Sequence, residues 1–152
     1  MVCDIHCYAE TLTNTGWRPL EVQYLSTRHY GVFGFLGNVC NYAMVTPITA
    51  PRGLPEDASA TVRKLHSNLG DSGHTASWLS TEELTAFDYE QSLEDRTVIR
   101  RSDPNPWLGL RTSPAGRGRM TTYRRLLGDA FFNDVERLNR GGADRIVYWF
   151  DN

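Results

Sequence analysis

The sequence predicts a single α+β domain over residues 1–152, with a central sheet that includes both the N- and C-terminal strands and is flanked by helices. Three observations predict it. The opening MVCDIHCYAE reads as a strand (residues 1–10) and sends Val2, Asp4, His6 and Tyr8 to one face and Cys3, Ile5, Cys7 and Ala9 to the other. The closing DRIVYWFDN is almost continuously apolar, as expected of a strand buried on both faces. Between them the longest helix, residues 122–140, carries an apolar stripe of Leu126, Leu127, Ala130, Phe131, Val135 and Leu138. A chain of 152 residues suits one such core.

The elements follow in order. TLTNTG, residues 11–16, is a turn, and WRPLEVQYL supplies a hairpin partner in rough alternation through Trp17, Leu20, Val22 and Tyr24. Ser26 or Thr27 caps a helix on which Tyr30, Phe33, Leu36 and Cys40 recur at helical spacing. Its glycines weaken it, but would let it lie close to the sheet. VTPITAPRGLPEDAS is a proline-stiffened loop with extended segments. A helix over 57–69 follows, with Ala58, Val62, Leu65 and Leu69 on one side and Gly70 closing it. Residues 70–78, GDSGHTASW, read as a glycine-rich loop. Ser80 and Glu83 form a capping box, and Leu79 with Leu84 staples the entry of a short helix ending near Phe87. Residues 93–101 read as a strand and 102–120 as a long, mobile Arg/Gly/Pro-rich loop. Gly141 and Gly142 stop the long helix before the last strand.

Composition excludes several classes. A net charge of -2 argues against binding nucleic acid through bulk charge. No apolar run is long enough to cross a bilayer, so no membrane partner is expected. No basic segment followed by an apolar stretch marks a signal peptide. Cys3, Cys7 and Cys40, an odd count, fit free thiols in a reducing cytoplasm. A zinc site from Cys3, His6 and Cys7 fails because a strand sends His6 away from both cysteines. GxGxxG, P-loop, HExxH and nucleophile-elbow signatures are missing, and His74-Thr75-Ala76 does not match the paired His-x-Thr pattern of two-histidine phosphoesterases.

The chemistry-bearing candidates fall into five groups. Asp4 and His6 share a strand face, where a carboxylate beside an imidazole raises its basicity and fixes its tautomer; a satisfied polar face is the ordinary alternative. Asp151 ends the last strand and would approach Asp4 or His6 if the terminal strands are neighbours; capping is its ordinary role. In the glycine loop, Asp71, His74 and Ser77 beside Trp78 could cradle phosphate and supply a general acid or base, or could simply cap a turn. Arg52, held between two prolines, suits a phosphate or carboxylate, and Arg28 with His29 repeats that argument more weakly; a surface ion pair is the alternative. Finally, Arg100, Arg101, Arg111, Arg117, Arg119, Arg124 and Arg125 make one region locally basic, able to close over an anion or simply be solvated.

The strings CDIH, RGLP, His74-x-x-Ser77-Trp78-Leu79 and Trp149-Phe-Asp-Asn152, with a Tyr30 to Val39 helix, together resemble a group of small proteins frequent in tailed-phage genomes and related prophages. The likeness spans nearly the whole chain except residues 91–120. It implies a phage accessory protein in the bacterial cytoplasm, of the kind that counters host defence by binding or cleaving nucleotide immune signals. It carries no residue roles.

Together these readings predict a nucleotide-type small-molecule ligand. As a phosphodiester hydrolase, His74 would be general acid or base, Asp4 would orient His6, and Arg52 and Arg28 would hold phosphate. Trp78 and Tyr8 would stack on a base, and a divalent metal ion would sit between Asp4 and Asp151. The alternatives are sequestration of the same ligand without chemistry, or a protein-binding inhibitor using the Arg loop and Trp107. A homo-oligomer stays open.

Overall fold

The computed structural model describes residues 2–100, 102 and 104–152; Met1, Arg101 and Asp103, which fall in the predicted first strand, the 93–101 strand and the 102–120 loop, lie outside them. The two ends of the chain meet at the centre of the sheet. β1 (Asp4–Thr13) pairs antiparallel with β8 (Arg145–Asp151), from Asp4 opposite Asp151 to Glu10 opposite Arg145. β2 (Gly16–Gln23) folds back on β1, and β3 (His74–Ser80) lies on the far side of β8, giving the order β2-β1-β8-β3. β8 is buried along all but its last residue, which is why its sequence shows no alternation.

One sheet face presents Cys3, Ile5, Cys7, Ala9, Leu79, Ile146, Tyr148 and Phe150 to the main core. α1 (Tyr30–Gly37) and α4 (Tyr123–Arg140) cover it through Phe33, Leu36, Leu127 and Phe131. The predicted close approach of α1 is present. A Cβ on Gly37 would stand 2.6 Å from the Phe150 ring, and the Tyr148 hydroxyl donates to the Leu36 carbonyl at 2.8 Å. α1 ends at Asn38 in the left-handed conformation, earlier than the Cys40 spacing implies. Gly128, at φ 81°, interrupts α4 after its first turn, which the apolar stripe does not reveal.

The opposite face holds a smaller cluster of Val147 and Trp149 under α2 (Ala60–Asn68), with Tyr8 and Trp78 packed against it. α2 starts later than predicted because Ser59 is its cap and accepts the Val62 N–H, leaving Asp57 outside. Asp57 instead joins an ionic node. The fully buried Glu10 accepts from Arg145 Nε at 2.8 Å and from the Ser59 N–H at 2.8 Å. Arg145 reaches on to Asp57 at 2.9 Å and lies 3.6 Å over Trp17. One node therefore fixes the β1–β8 register and the start of α2.

Three expectations are corrected. Residues 70–78 are not one loop: a single 3-10 turn (Gly70–Ser72) leads into β3, so His74, Ser77 and Trp78 are strand residues. A bulge between His74 and Ser77, with Thr75 at φ 56°, breaks the alternation that would have marked the strand. The 93–120 region is built of short strands. β4 (Ser92–Asp95) pairs with β7 (Arg119–Thr122), and β5 (Thr97–Ile99) with β6 (Leu110–Thr112). Such strands are too short to show a period against their Arg, Gly and Pro content. Finally, Cys3 and Cys40 form a disulfide, because the left-handed turn after α1 brings their Cα atoms to 6.8 Å; only Cys7 is free, and it is buried. α3 (Thr81–Ala86) has both hydrogen bonds of the predicted capping box.

Candidate functional site

The antiparallel register sets the chemistry at the chain ends. Asp4 faces Asp151, and His6 faces Trp149, so all four share one sheet face. The predicted pairing of Asp4 with His6 is replaced by a different one. His6 Nε2 bonds Asp151 Oδ2 at 2.7 Å, and its ring stacks on Trp149 at 6.0 Å and 14°. Asp4 turns to Arg28, accepting three hydrogen bonds of 2.7 to 3.0 Å. Asp151 lies diagonally across the β1–β8 pair from His6, within reach of its ring, so Asp151 is the residue that orients His6.

His74 reaches the same end of the sheet but is held at both ring nitrogens. Nδ1 bonds Thr75 Oγ1 at 2.9 Å, and Nε2 bonds Asn152 Oδ1. Of the two imidazoles, His6 keeps a ring nitrogen, Nδ1, outside its carboxylate contact. Tyr8 packs against Trp149 with ring centroids 5.2 Å apart. Asp71 stands exposed on the 3-10 turn and joins neither group.

Arg52, Ser77 and Trp78 form a separate clamp. The Arg52 N–H donates to Ser77 Oγ at 3.0 Å, and its guanidinium donates to both Glu83 oxygens at 3.0 and 2.6 Å. It also lies 4.5 Å over the Trp78 ring. Arg52 holds the Glu83 carboxyl below its usual range, and the same hydrogen bonding raises the Arg52 pKa. The proline-stiffened arginine thus ties its loop to β3 and α3, and its charge is met within the protein.

The predicted metal position fits poorly. Asp4 and Asp151 are taken by Arg28 and His6, and among the described residues no group of three or more His, Cys, Asp or Glu could hold an ion.

A cavity of about 630 Å³ lies elsewhere, between the start of α1, the β4–β7 and β5–β6 ribbons and the start of α4. Its aromatic wall is Tyr30, Tyr42 and Trp107, with Tyr30 5.1 Å from Trp107 and 5.7 Å from Tyr42. Its cations are Arg28, Arg119 and Arg125. Arg28 sits 5.8 Å over Trp107 while clamped by Asp4. Arg119 and Arg125 are exposed and paired with no carboxylate among the described residues. Asp95, opposite Arg119 in the β4–β7 register, accepts the Thr97 N–H instead. The sequence signal for this site was the local basic excess with Trp107. Tyr30 and Tyr42 read only as helix and loop residues.

His29 also lines the cavity and caps α1, its Nδ1 accepting the Val32 N–H at 3.2 Å. Although His29 is exposed as a residue, desolvation by the protein around it lowers its pKa from 6.5. A depressed histidine pKa means the unfolded chain binds more protons, so this contribution to stability is complete above pH 6.5 and fades as pH falls towards the folded-state value. Wild type should therefore lose more thermal stability than His29→Asn between about pH 7.5 and about pH 5.5, because asparagine caps without titrating. Equal losses in the two proteins would contradict this.

No protein-family model, curated protein or solved structure matches the chain. Among the described residues no helix is long and apolar enough to cross a membrane.

Proposed function

We propose that the protein binds a nucleotide-type phosphorylated small molecule in the Arg–Tyr–Trp cavity and holds it intact. The observation that carries this reading is that Arg119 and Arg125, without carboxylate partners among the described residues, share one cavity with three aromatic rings. Guanidinium forks match phosphate oxygens, and an aromatic wall stacks on a base of any sequence. The volume falls within the ordinary range of small-molecule sites. With the resemblance carried by CDIH, RGLP and the Trp149–Asn152 ending, the biological role is that of a phage accessory protein that withdraws a host nucleotide immune signal.

Hydrolysis is the second reading, and the His6–Asp151 pair favours it: a carboxylate-oriented imidazole is the arrangement a general base needs. Sequestration leads because neither His6, His74 nor Asp151 lines the cavity.

The test is to incubate the protein with mononucleotides, cyclic dinucleotides and cyclic ADP-ribose isomers, isolate the complex, heat it and analyse what is released. Intact nucleotide is the expected result, and a His6→Ala variant should retain it equally well. A new product that disappears in His6→Ala would establish hydrolysis, and failure to retain any nucleotide would overturn the proposal.

A further inference from the structure

The cavity's three guanidiniums are not in the same state. Arg119, on β7, and Arg125, on the first turn of α4, have no anionic partner among the described residues. Arg28, on the connection between β2 and α1, faces Trp107 but already holds an anion, the Asp4 carboxylate, in a forked contact from Nε to Oδ1 at 3.0 Å and from Nη2 to Oδ2 at 2.8 Å. Asp4 is thus an internal anion at the edge of a site whose other cations have no carboxylate partner among the described residues.

Its environment makes it displaceable. The Asp4 side chain is 52% exposed, so a carboxylate leaving Arg28 returns to water at little desolvation cost. Its hydrogen bonds all come from Arg28, so it is not fixed in place by backbone donors. A phosphate presents the same oxygen geometry to the planar fork and carries as much charge or more, so the exchange replaces one bidentate contact with an equal or stronger one. A ligand with one anionic group settles on Arg119 and Arg125 and gains nothing by opening the Arg28–Asp4 pair. A ligand with a second, separated anionic group gains that contact.

Resting on the nucleotide-binding reading, we infer that the ligand carries two separated phosphate groups, and that the second takes Arg28 from Asp4. Asp4 acts as a placeholder that sets specificity: it shields Arg28 from ligands with a single phosphate and yields to those with two.

The inference is tested with adenosine 5′-monophosphate and adenosine 3′,5′-bisphosphate, which differ by the second phosphate. Equilibrium dialysis would be run on wild type, Asp4→Asn and Arg28→Ala, with melting curves for each. Wild type should bind the bisphosphate about tenfold or more tightly than the monophosphate, the worth of one charge-assisted contact. Asp4→Asn opens Arg28 to both ligands, so it should tighten the monophosphate more than the bisphosphate and narrow the ratio between them several-fold. Arg28→Ala should bring the two affinities together. Equal wild-type affinities, or an Asp4→Asn variant that loses thermal stability without changing the ratio, would overturn the inference and mark the pair as structural. If the heated-release panel shows a retained nucleotide but the second phosphate brings no gain, this inference fails alone; if no nucleotide binds at all, both it and the parent reading fail.

Discussion

Glu10→Ala should lower the unfolding free energy by about 3–5 kcal/mol, the cost of stripping a buried charge of its partner. Glu10 is fully buried and Arg145 is 4% exposed, so water cannot replace the lost carboxylate. Arg145 would keep only Asp57 and the Trp17 ring, and the Ser59 N–H at the start of α2 would lose its acceptor. Small domains have about 5–15 kcal/mol in total, so the variant would sit near the edge of folding. Asp57 provides the comparison. It touches the same guanidinium, which is the leading cause of its lowered pKa, but its side chain is 66% exposed. Asp57→Ala should therefore cost about 1 kcal/mol or less. Urea unfolding of both variants decides the matter: equal losses would show that burial of Glu10 does not set the strength of the node.

Arg119→Ala combined with Arg125→Ala should weaken nucleotide retention about 100-fold or more, since each charge-assisted contact to phosphate is worth about 1.5–3 kcal/mol. Stability should hardly change, because both side chains are exposed and neither is in an ion pair among the described residues. Arg52→Ala is the opposite case. Its guanidinium bridges Glu83, the Trp78 carbonyl and the Trp78 ring, so the variant should melt earlier and retain ligand normally. A double variant that binds as wild type would remove the cavity from the account.

The framework was readable because its signals are local. The unbroken apolar run of β8 fixes a strand buried on both faces, the Ser80–Glu83 box starts α3, and the stripe from Leu126 to Leu138 builds α4. The site was read less well because its partners are set by non-local register. Alternation correctly put Asp4 and His6 on one face, but only the pairing of β1 with β8 assigns His6 to Asp151 and leaves Asp4 to Arg28. Arg52 looked poised for an anion because its partner Glu83 lies on another element. His74 looked like a loop residue because the bulge at Thr75 hides the β3 alternation. The cavity was hardest of all: Arg28, Tyr42, Trp107, Arg119 and Arg125 come from separate segments, and a disulfide between Cys3 and Cys40 ties the Tyr42 segment to the start of β1.

The most direct measurement is hydrogen exchange with and without a nucleotide that the protein retains. Binding in the cavity predicts slowed exchange in residues 28–31, 107–112 and 119–126, with residues 74–79 unchanged. Protection centred on 74–79 and 147–152, leaving the 119–126 segment as it was, would move the ligand to the His6–Asp151 end of the sheet and contradict the account.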